Sequence, residues 1–105
     1  MSAVNPMYIN AAQQRILKML QRLAGHEIEG IAPAELATAL RTSKSNVTRD
    51  LANLAEAGLA ESMEPTGRWR LTPRVVQISL AAANAFSRAE DRLTEARSRF
   101  TRNPH

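Results

Sequence analysis

The sequence predicts a mainly α-helical protein that carries one β-hairpin. Apolar residues recur at helical spacing in four segments, and two short alternating runs flank the turn sequence Glu64-Pro65-Thr66-Gly67. Aromatic residues make up only 4% of the 105 residues, which favours helices packed through Leu, Ile and Ala over a β-sandwich. A chain of this length forms one modest core, so we expect one folded domain.

The first helix is predicted to begin after Asn10. Residues 1–9 contain a proline and show no periodicity, and we expect them to be a flexible leader. Asn10 is suited to cap the helix, with Gln13 three residues later, and apolar residues at helical spacing then continue to Leu23.

A second, shorter helix follows a glycine-containing loop. Ile31 is expected to form a single-residue β-bridge, and Pro33 is suited to the first position of a helix that ends at Leu40. The turn sequence RTSK then has the length that joins the two helices of a helix-turn-helix unit.

The third helix has clear signals at both ends. Thr42 or Ser43 can cap its start. At its end Gly58 is suited to the left-handed position, and Leu59 can fold back on Leu54.

A β-hairpin and a long helix complete the chain. Trp69 and Leu71 alternate with two arginines after the turn, and Pro73 can begin a helix that runs to about Thr101. This order of elements predicts a winged helix-turn-helix domain, three helices plus a β-hairpin wing, over 10–72. A long C-terminal helix over 73–101 and a disordered tail over 102–105 would follow.

The third helix carries a polar face that is suited to DNA. With Val47 at the centre of its inner face, its polar and cationic residues point outward or flank that outer side. Arg and Asn can bond two atoms of a guanine or adenine edge, while Ser, Thr and Lys bind base edges and phosphates. The alternative is that these residues are helix caps and a solvated surface, which for Ser43 alone is the favoured interpretation. The predicted DNA-binding residues of this helix are Ser43, Lys44, Ser45, Asn46, Thr48 and Arg49.

The hairpin adds two further candidates, Arg68 and Arg70, which the alternation places away from the core. As a wing they would contact the DNA backbone or the minor groove. The alternative is two surface cations that contribute little. Trp69 is interpreted as a core anchor of the hairpin.

The segment from Ile31 to Ser79, IAPAELATALRTSKSNVTRDLANLAEAGLAESMEPTGRWRLTPRVVQIS, resembles the N-terminal winged helix-turn-helix domain of IclR-type transcriptional regulators. In that family a hydrophobic-x-x-x-E-L-A helix leads to a K-S-x-V-x-R-x-L-x-x-L-x-x-x-G helix and then to Y/W-R-L-T-P-R-V. The resemblance extends back to Asn10, and GRWRLTPRV is its more specific part. It implies a bacterial or phage regulator whose recognition helix contains Lys44 to Arg49 and whose wing contains Arg68 and Arg70. Regulators of this type continue into an effector-binding domain that this sequence lacks, so we expect no small-molecule ligand.

The fourth helix carries a heptad seam in which small and large residues alternate. The seam exceeds what a domain this small needs to cover, which favours a homodimer through this helix; the alternative is that it folds back over its own first helix. The predicted dimerisation residues are Ala82, Phe86, Ala89, Leu93, Ala96 and Phe100.

Composition excludes several function classes. The chain has no cysteine and two histidines, so thiolate chemistry is absent, and neither a metal site nor an acid-base catalytic group is expected. We therefore predict neither an enzyme nor a cofactor. A net charge of +4 suits a polyanionic partner, and the sequence contains no signal peptide or membrane span, so a cytoplasmic, nucleoid-associated protein is expected.

The leading hypothesis from the sequence is a small dimeric transcriptional regulator that binds a palindromic site on double-stranded DNA. The alternative is a protein-interaction module, in which the winged helix pairs with a larger regulator or with a phage or host factor through the C-terminal helix.

Overall fold

The structure, a computed structural model, describes residues 4–102. The elements of this part of the chain are α1 (Ala11–Leu23), α2 (Pro33–Ala39), α3 (Lys44–Glu56), β1 (Ala60–Met63), β2 (Arg68–Leu71) and α4 (Pro73–Thr101). The two strands form an antiparallel hairpin. The predicted fold class, a winged helix-turn-helix followed by a long helix, is confirmed.

The chain divides into two compact units, the first ending at Arg74 and the second beginning at Val75. Within the predicted leader, Pro6–Tyr8 form one turn of 3-10 helix that Asn5 caps. The predicted tail lies outside the described residues except for Arg102. The predicted domain boundaries and the flexibility of the leader stay predictions.

Side-chain caps fix the starts of α1 and α3. Asn10 Oδ1 accepts a hydrogen bond from the Gln13 N–H at 2.9 Å, as the sequence predicts. Of the two candidate caps of α3, Ser43 takes this role, because its Oγ accepts from the Asn46 N–H at 3.1 Å.

The end of α3 is fixed by a Schellman motif. Gly58 adopts a φ of +77°, a left-handed conformation that strains residues with a Cβ. The Leu59 N–H donates to the Leu54 carbonyl at 2.8 Å, and the Gly58 N–H donates to the Ala55 carbonyl at 2.9 Å. The chain therefore turns sharply into β1.

One core joins α1, α2, α3 and the hairpin in the first unit. Its buried apolar residues are Met19, Leu23, Ile31, Leu36, Val47, Leu51, Leu54, Ala60 and Leu71. The predicted bridge at Ile31 is present, since Ile31 and Trp69 exchange two backbone hydrogen bonds of 2.9 Å each. That bridge ties the hairpin to the loop before α2.

A close approach at Gly30 holds the same loop against the hairpin. Gly30 has a φ of +72°, and a Cβ there would lie 2.5 Å from Met63 Sδ and 2.9 Å from Arg68 Cβ. Any other residue would therefore push the loop away from the wing.

An ion pair between α1 and α3 sets the position of α3. Arg15 Nε lies 2.6 Å from Asp50 Oδ2, and Arg15 Nη2 lies 3.0 Å from Asp50 Oδ1, a two-pronged pair. Asp50 is only 5% exposed on the inner face of α3. The hydrogen bonds to Asp50 raise the pKa of the Arg15 guanidinium, while burial acts in the opposite direction. The positive charge of Arg15 therefore compensates the negative charge of the buried Asp50 carboxylate.

We expect Arg15→Ala to lower the free energy of unfolding by about 2 to 3 kcal/mol, because it leaves the buried Asp50 carboxylate without its partner. Denaturant unfolding followed by circular dichroism measures this loss. Arg22→Ala, an exposed arginine on the same helix, is the matched control and should change stability by less than about 0.5 kcal/mol. Equal effects of the two substitutions would contradict a stabilising role for the ion pair.

Candidate nucleic-acid interface

The outer face of α3 is set by the residues that its inner face buries. Val47, Asp50, Leu51 and Leu54 lie in the core or against α1. The residues on the opposite side are therefore exposed, and the predicted recognition residues Ser45, Thr48 and Arg49 are among them.

Several of the predicted recognition residues are already engaged within α3. Ser43 and Ser45 lie 3.1 Å apart through their hydroxyl oxygens. The half-buried Asn46 donates from Nδ2 to Thr42 Oγ1 at 2.9 Å, and Thr48 Oγ1 donates to the Lys44 carbonyl at 3.0 Å. These side chains complete the first turns of the helix.

Lys44 and Arg49 differ from their neighbours because, within residues 4–102, neither side chain has a hydrogen-bond or ion-pair partner. Both are exposed in the first two turns of α3. The free N–H groups and positive dipole end of a helix N-terminus add to the attraction for an anion there. This part of the helix is the strongest candidate for contact with a polyanion.

The C-terminal end of α3 is less suited to DNA. The exposed Glu56 lies on the same outer side as Arg49, two turns further along the helix. A carboxylate close to phosphates is unfavourable, so the N-terminal half of the helix is the better candidate for contact with a polyanion. That half contains all the recognition residues that the sequence predicts on α3.

The wing arginines hold the hairpin to the loop between α1 and α2. Arg68 donates from Nε to the Glu29 carbonyl and from Nη2 to the Gly30 carbonyl, each at 3.0 Å. Arg70 pairs with Glu61 on the facing strand at 2.8 Å and donates to the Glu27 carbonyl at 3.3 Å. Each arginine side chain is 36% exposed. Both thus have structural partners that the sequence analysis did not anticipate.

A second group of cations lies beside the start of α3. Lys18 and Arg22, one helical turn apart on α1, line an open cleft with Leu40 at the end of α2. Lys18 and Leu40 also line an adjoining cleft with Arg41 and Thr42. These cations are not among the residues predicted from the sequence, because their grouping depends on how α1 packs beside the turn before α3. Their i, i+4 spacing on an exposed helix face was the available signal.

The predicted dimerisation residues lie in the second unit, all on α4. The large ones are widely exposed, with 74% of Phe86, 58% of Leu93 and 81% of Phe100 accessible to solvent. The three alanines of the seam are exposed as well. Their role in pairing stays a prediction.

No group of three or more His, Asp or Glu side chains in residues 4–102 is placed to hold a metal ion. None of the helices described in this range has the length and apolarity needed to cross a membrane.

A family model described as a helix-turn-helix domain matches residues 8–62, just over half of the chain. The chain belongs to this helix-turn-helix family. In this domain α2 and α3 are the two helices of the motif, and α3 takes the place of the recognition helix. No characterised protein matches the chain significantly by sequence.

Solved structures share the fold of this helix-turn-helix domain. One is Cyprinid Herpesvirus3 ORF112-Zalpha, in a structure that describes its binding mode to Z-DNA. It is 25% identical with a TM-score of 0.51, and the match covers 57% of this chain and 95% of that chain. A mutant of S. aureus MepR is 21% identical with a TM-score of 0.51, and the match covers 86% of this chain and 67% of the MepR chain. Another S. aureus MepR mutant, bound to an oligodeoxyribonucleotide, is 20% identical with a TM-score of 0.50, covering 80% and 71%. The two MepR matches show the fold alone, and none of the three distinguishes an IclR-type domain from other winged helices.

We expect Arg68→Ala to lower the free energy of unfolding by about 1 to 2 kcal/mol, because two carbonyl groups of the loop before α2 lose their donor. Thermal unfolding measures the change. Arg49→Ala removes an arginine that has no side-chain partner among residues 4–102 and should leave stability within about 0.5 kcal/mol. An Arg68→Ala protein as stable as Arg49→Ala would show that these bonds do not anchor the wing.

Proposed function

We propose that the protein binds double-stranded DNA sequence-specifically, as a dimeric transcriptional regulator, with α3 in the major groove. The observation that carries this proposal is the outer face of α3, where Lys44 and Arg49 are exposed and free of partners within the described part of the chain. The helix-turn-helix family and the wing support the same function.

The side chains of α3 divide into base-contacting and phosphate-contacting groups. Arg49 can donate two hydrogen bonds to the O6 and N7 of a guanine, and the hydroxyl groups of Ser45 and Thr48 can bind base edges. Lys44, at the first position of the helix, is suited to a phosphate. Asn46 would contact an adenine only by giving up its bond to Thr42. We therefore propose Arg49 as the main specificity residue.

The cations beside α3 extend the proposed contact to the DNA backbone. The two adjoining clefts are lined by the cations Lys18, Arg22 and Arg41. Arg41 lies in the turn that precedes α3. Together with Lys44 they supply four cations in each copy. Phosphate contacts of this kind position a protein without specifying sequence.

The proposed wing contact is secondary. Arg68 and Arg70 retain part of their exposed surface, so each could reach a phosphate while its bonds to the α1–α2 loop persist. Glu61 partly neutralises Arg70, which reduces its attraction for DNA. We propose that these arginines mainly hold the wing in place.

Similarity to ORF112-Zalpha supports a double-stranded nucleic acid as the partner, since its structure is described as a binding mode to Z-DNA. It also provides a specific second candidate, a protein that recognises the left-handed form of DNA rather than a base sequence. Arg49, which has no side-chain partner within residues 4–102, favours base recognition over this candidate, because the major groove of B-DNA admits a helix and presents O6 and N7 of guanine to an arginine.

A dimer and a palindromic site complete the proposal. A single recognition helix contacts few base pairs, whereas two copies related by a two-fold axis contact two half-sites. The exposed seam of α4, from Ala82 to Phe100, supports pairing. The IclR-type resemblance, the bacterial or phage origin and the cytoplasmic, nucleoid-associated location remain parts of this proposal that rest on the sequence.

A protein-interaction module is the alternative that the same seam favours. In that case α4 would bind a larger regulator or another factor, and the free cations of α3 would have no role. Substitutions on α3 separate the two functions, because they would weaken DNA binding in the first case and leave binding of the protein partner unchanged in the second.

Selection of bound duplexes from random sequence at low salt tests the proposed function directly. We expect a motif with two-fold symmetry, and Arg49→Ala should lose about 10- to 100-fold in affinity for it because a pair of hydrogen bonds to one base is removed. Affinity is measured by fluorescence anisotropy.

Two controls accompany this selection. Arg88→Ala removes an exposed arginine of α4 and should bind the selected site like the unchanged protein. A duplex of alternating dC and dG, held in the left-handed form, tests the second candidate. Recovery of no preferred sequence would overturn specific binding, and preference for the left-handed duplex would favour the ORF112-Zalpha-like alternative.

Backbone contacts predict a steep salt dependence. If each subunit neutralises about four phosphates, log affinity should fall with log salt concentration at a slope of about −7 for the dimer. The double variant Lys18→Ala with Arg22→Ala should reduce this slope to about −4 and weaken binding to all sequences alike. Titrations over a series of salt concentrations, on the selected site and on a scrambled duplex, measure both effects. An unchanged slope would remove these two cations from the interface.

A further inference from the structure

The seam of α4 alternates large and small side chains. Its large members are Phe86, Leu93 and Phe100, and its small members are Ala82, Ala89 and Ala96. They follow one another at steps of four and three residues, so they form a single stripe along the helix. All six side chains are exposed to solvent.

We propose that two copies of α4 pair in antiparallel orientation, so that every large residue of one copy faces a small or β-branched residue of the other. This inference rests on the proposed dimer and specifies its geometry. In a parallel pair each residue would face its own counterpart, and wide layers of Phe86 against Phe86 would alternate with narrow layers of Ala89 against Ala89. Two helices at one separation cannot fill both kinds of layer, whereas antiparallel pairing gives layers of similar volume.

One antiparallel register accommodates the whole seam. In this register, two residues lie at the same level when their numbers add up to 175. Phe86 then faces Ala89 of the second copy, and Leu93 faces Ala82 of the second copy. The same register places Phe100 against Val75, and Ala96 against Ser79, at the ends of the pair. Every seam residue of α4 then has a partner.

Charges beside the seam favour this register. A residue beside the seam faces a residue two positions away from the one at its own level. Arg92 would therefore face Ala85 of the second copy, and Glu90 would face Ala83 of the second copy. An antiparallel register shifted by seven residues would place Arg92 against Arg92 of the second copy, and Glu90 against Glu90. A parallel pair would place Arg92 against Arg97 of the second copy. Like charges at these flanking positions are unfavourable.

The proposed register also covers exposed apolar residues outside the seam. Val76 is 51% and Ile78 is 57% exposed. Arg97 of the second copy would lie over Val76, and Arg99 of the second copy over Ile78, where their hydrocarbon stems can pack while the guanidinium groups remain in water.

The estimated buried area is that of a small specific interface. The exposed large side chains of the seam together with Val76 and Ile78 offer about 500 Å² of apolar surface in each copy, since a single aromatic side chain buries roughly 150 to 250 Å². The pair would bury on the order of 1,000 Å², the lower bound for a specific interface.

Disulfide cross-linking tests the orientation, because the chain contains no cysteine of its own. A tagged Ala82→Cys protein is mixed with an untagged Leu93→Cys protein without DNA and oxidised. We expect a cross-linked species containing one copy of each, since the two positions lie at the same level only in the proposed register. In a parallel pair they would be about 16 Å apart along the axis, beyond the reach of a disulfide.

Two further cross-linking experiments exclude the other arrangements. Ala96→Cys alone should give no cross-linked dimer, because its two copies would be about 25 Å apart; efficient cross-linking would establish a parallel pair and overturn the proposal. Efficient cross-linking of Ala82→Cys with Phe100→Cys would overturn the register.

A substitution without cysteine gives an independent result. Ala89→Leu would crowd Phe86 in the antiparallel pair and should weaken dimerisation at least about tenfold by sedimentation equilibrium. In a parallel pair it would fill a narrow layer and strengthen dimerisation, which would overturn the proposal. A monomer at all concentrations would also overturn it, while DNA binding by α3, measured on a single half-site, would still report on the proposed function.

Discussion

The ion pair between Arg15 and Asp50 is the interaction on which the proposed interface depends. α3 is short, and its inner face contains one carboxylate among the apolar residues Val47, Leu51 and Leu54. An unpaired carboxylate there would be costly to bury, so the buried position of this helix face depends on the partner of Asp50. Because Arg15 binds both carboxylate oxygens, it fixes the rotation of α3 about its own axis as well as its distance from α1. Stability and presentation of the outer face are therefore set by the same contact.

The polar residues of α3 and the wing divide between structure and surface chemistry. Ser43 caps α3, and Asn46 and Thr48 complete its first turns with bonds to Thr42 and Lys44. The wing arginines are bound in the same way to the loop before α2, so the hairpin is anchored by guanidinium groups as well as by the bridge at Trp69. Lys44 and Arg49 are the predicted recognition residues for which the described structure provides no internal use.

The sequence predicts the features that are encoded locally. The caps at Asn10 and Ser43, the Schellman motif at Gly58 and the turn between β1 and β2 each depend on residues within a few positions of one another, so their patterns can be read without a structure. The Arg15–Asp50 pair joins residues 35 apart, and the bonds of Arg68 and Arg70 to the α1–α2 loop span 38 to 43 residues. Such contacts depend on packing, and no local pattern predicts them. The i, i+4 spacing of Lys18 and Arg22 is a local signal, but their grouping with Arg41 also depends on packing. The recognition residues were predictable as a set, but their division into engaged and free members was not.

The commitment of most polar side chains of α3 to internal bonds has a consequence for how such a regulator would find its sites. With Arg49 as the main specificity residue, each copy would distinguish only a few base pairs. A genome offers about 10⁶ to 10⁹ competing positions, and a short motif recurs among them by chance. Occupancy would then depend on the number of molecules in the cell and on how closely sites are clustered, as much as on the match of any one site.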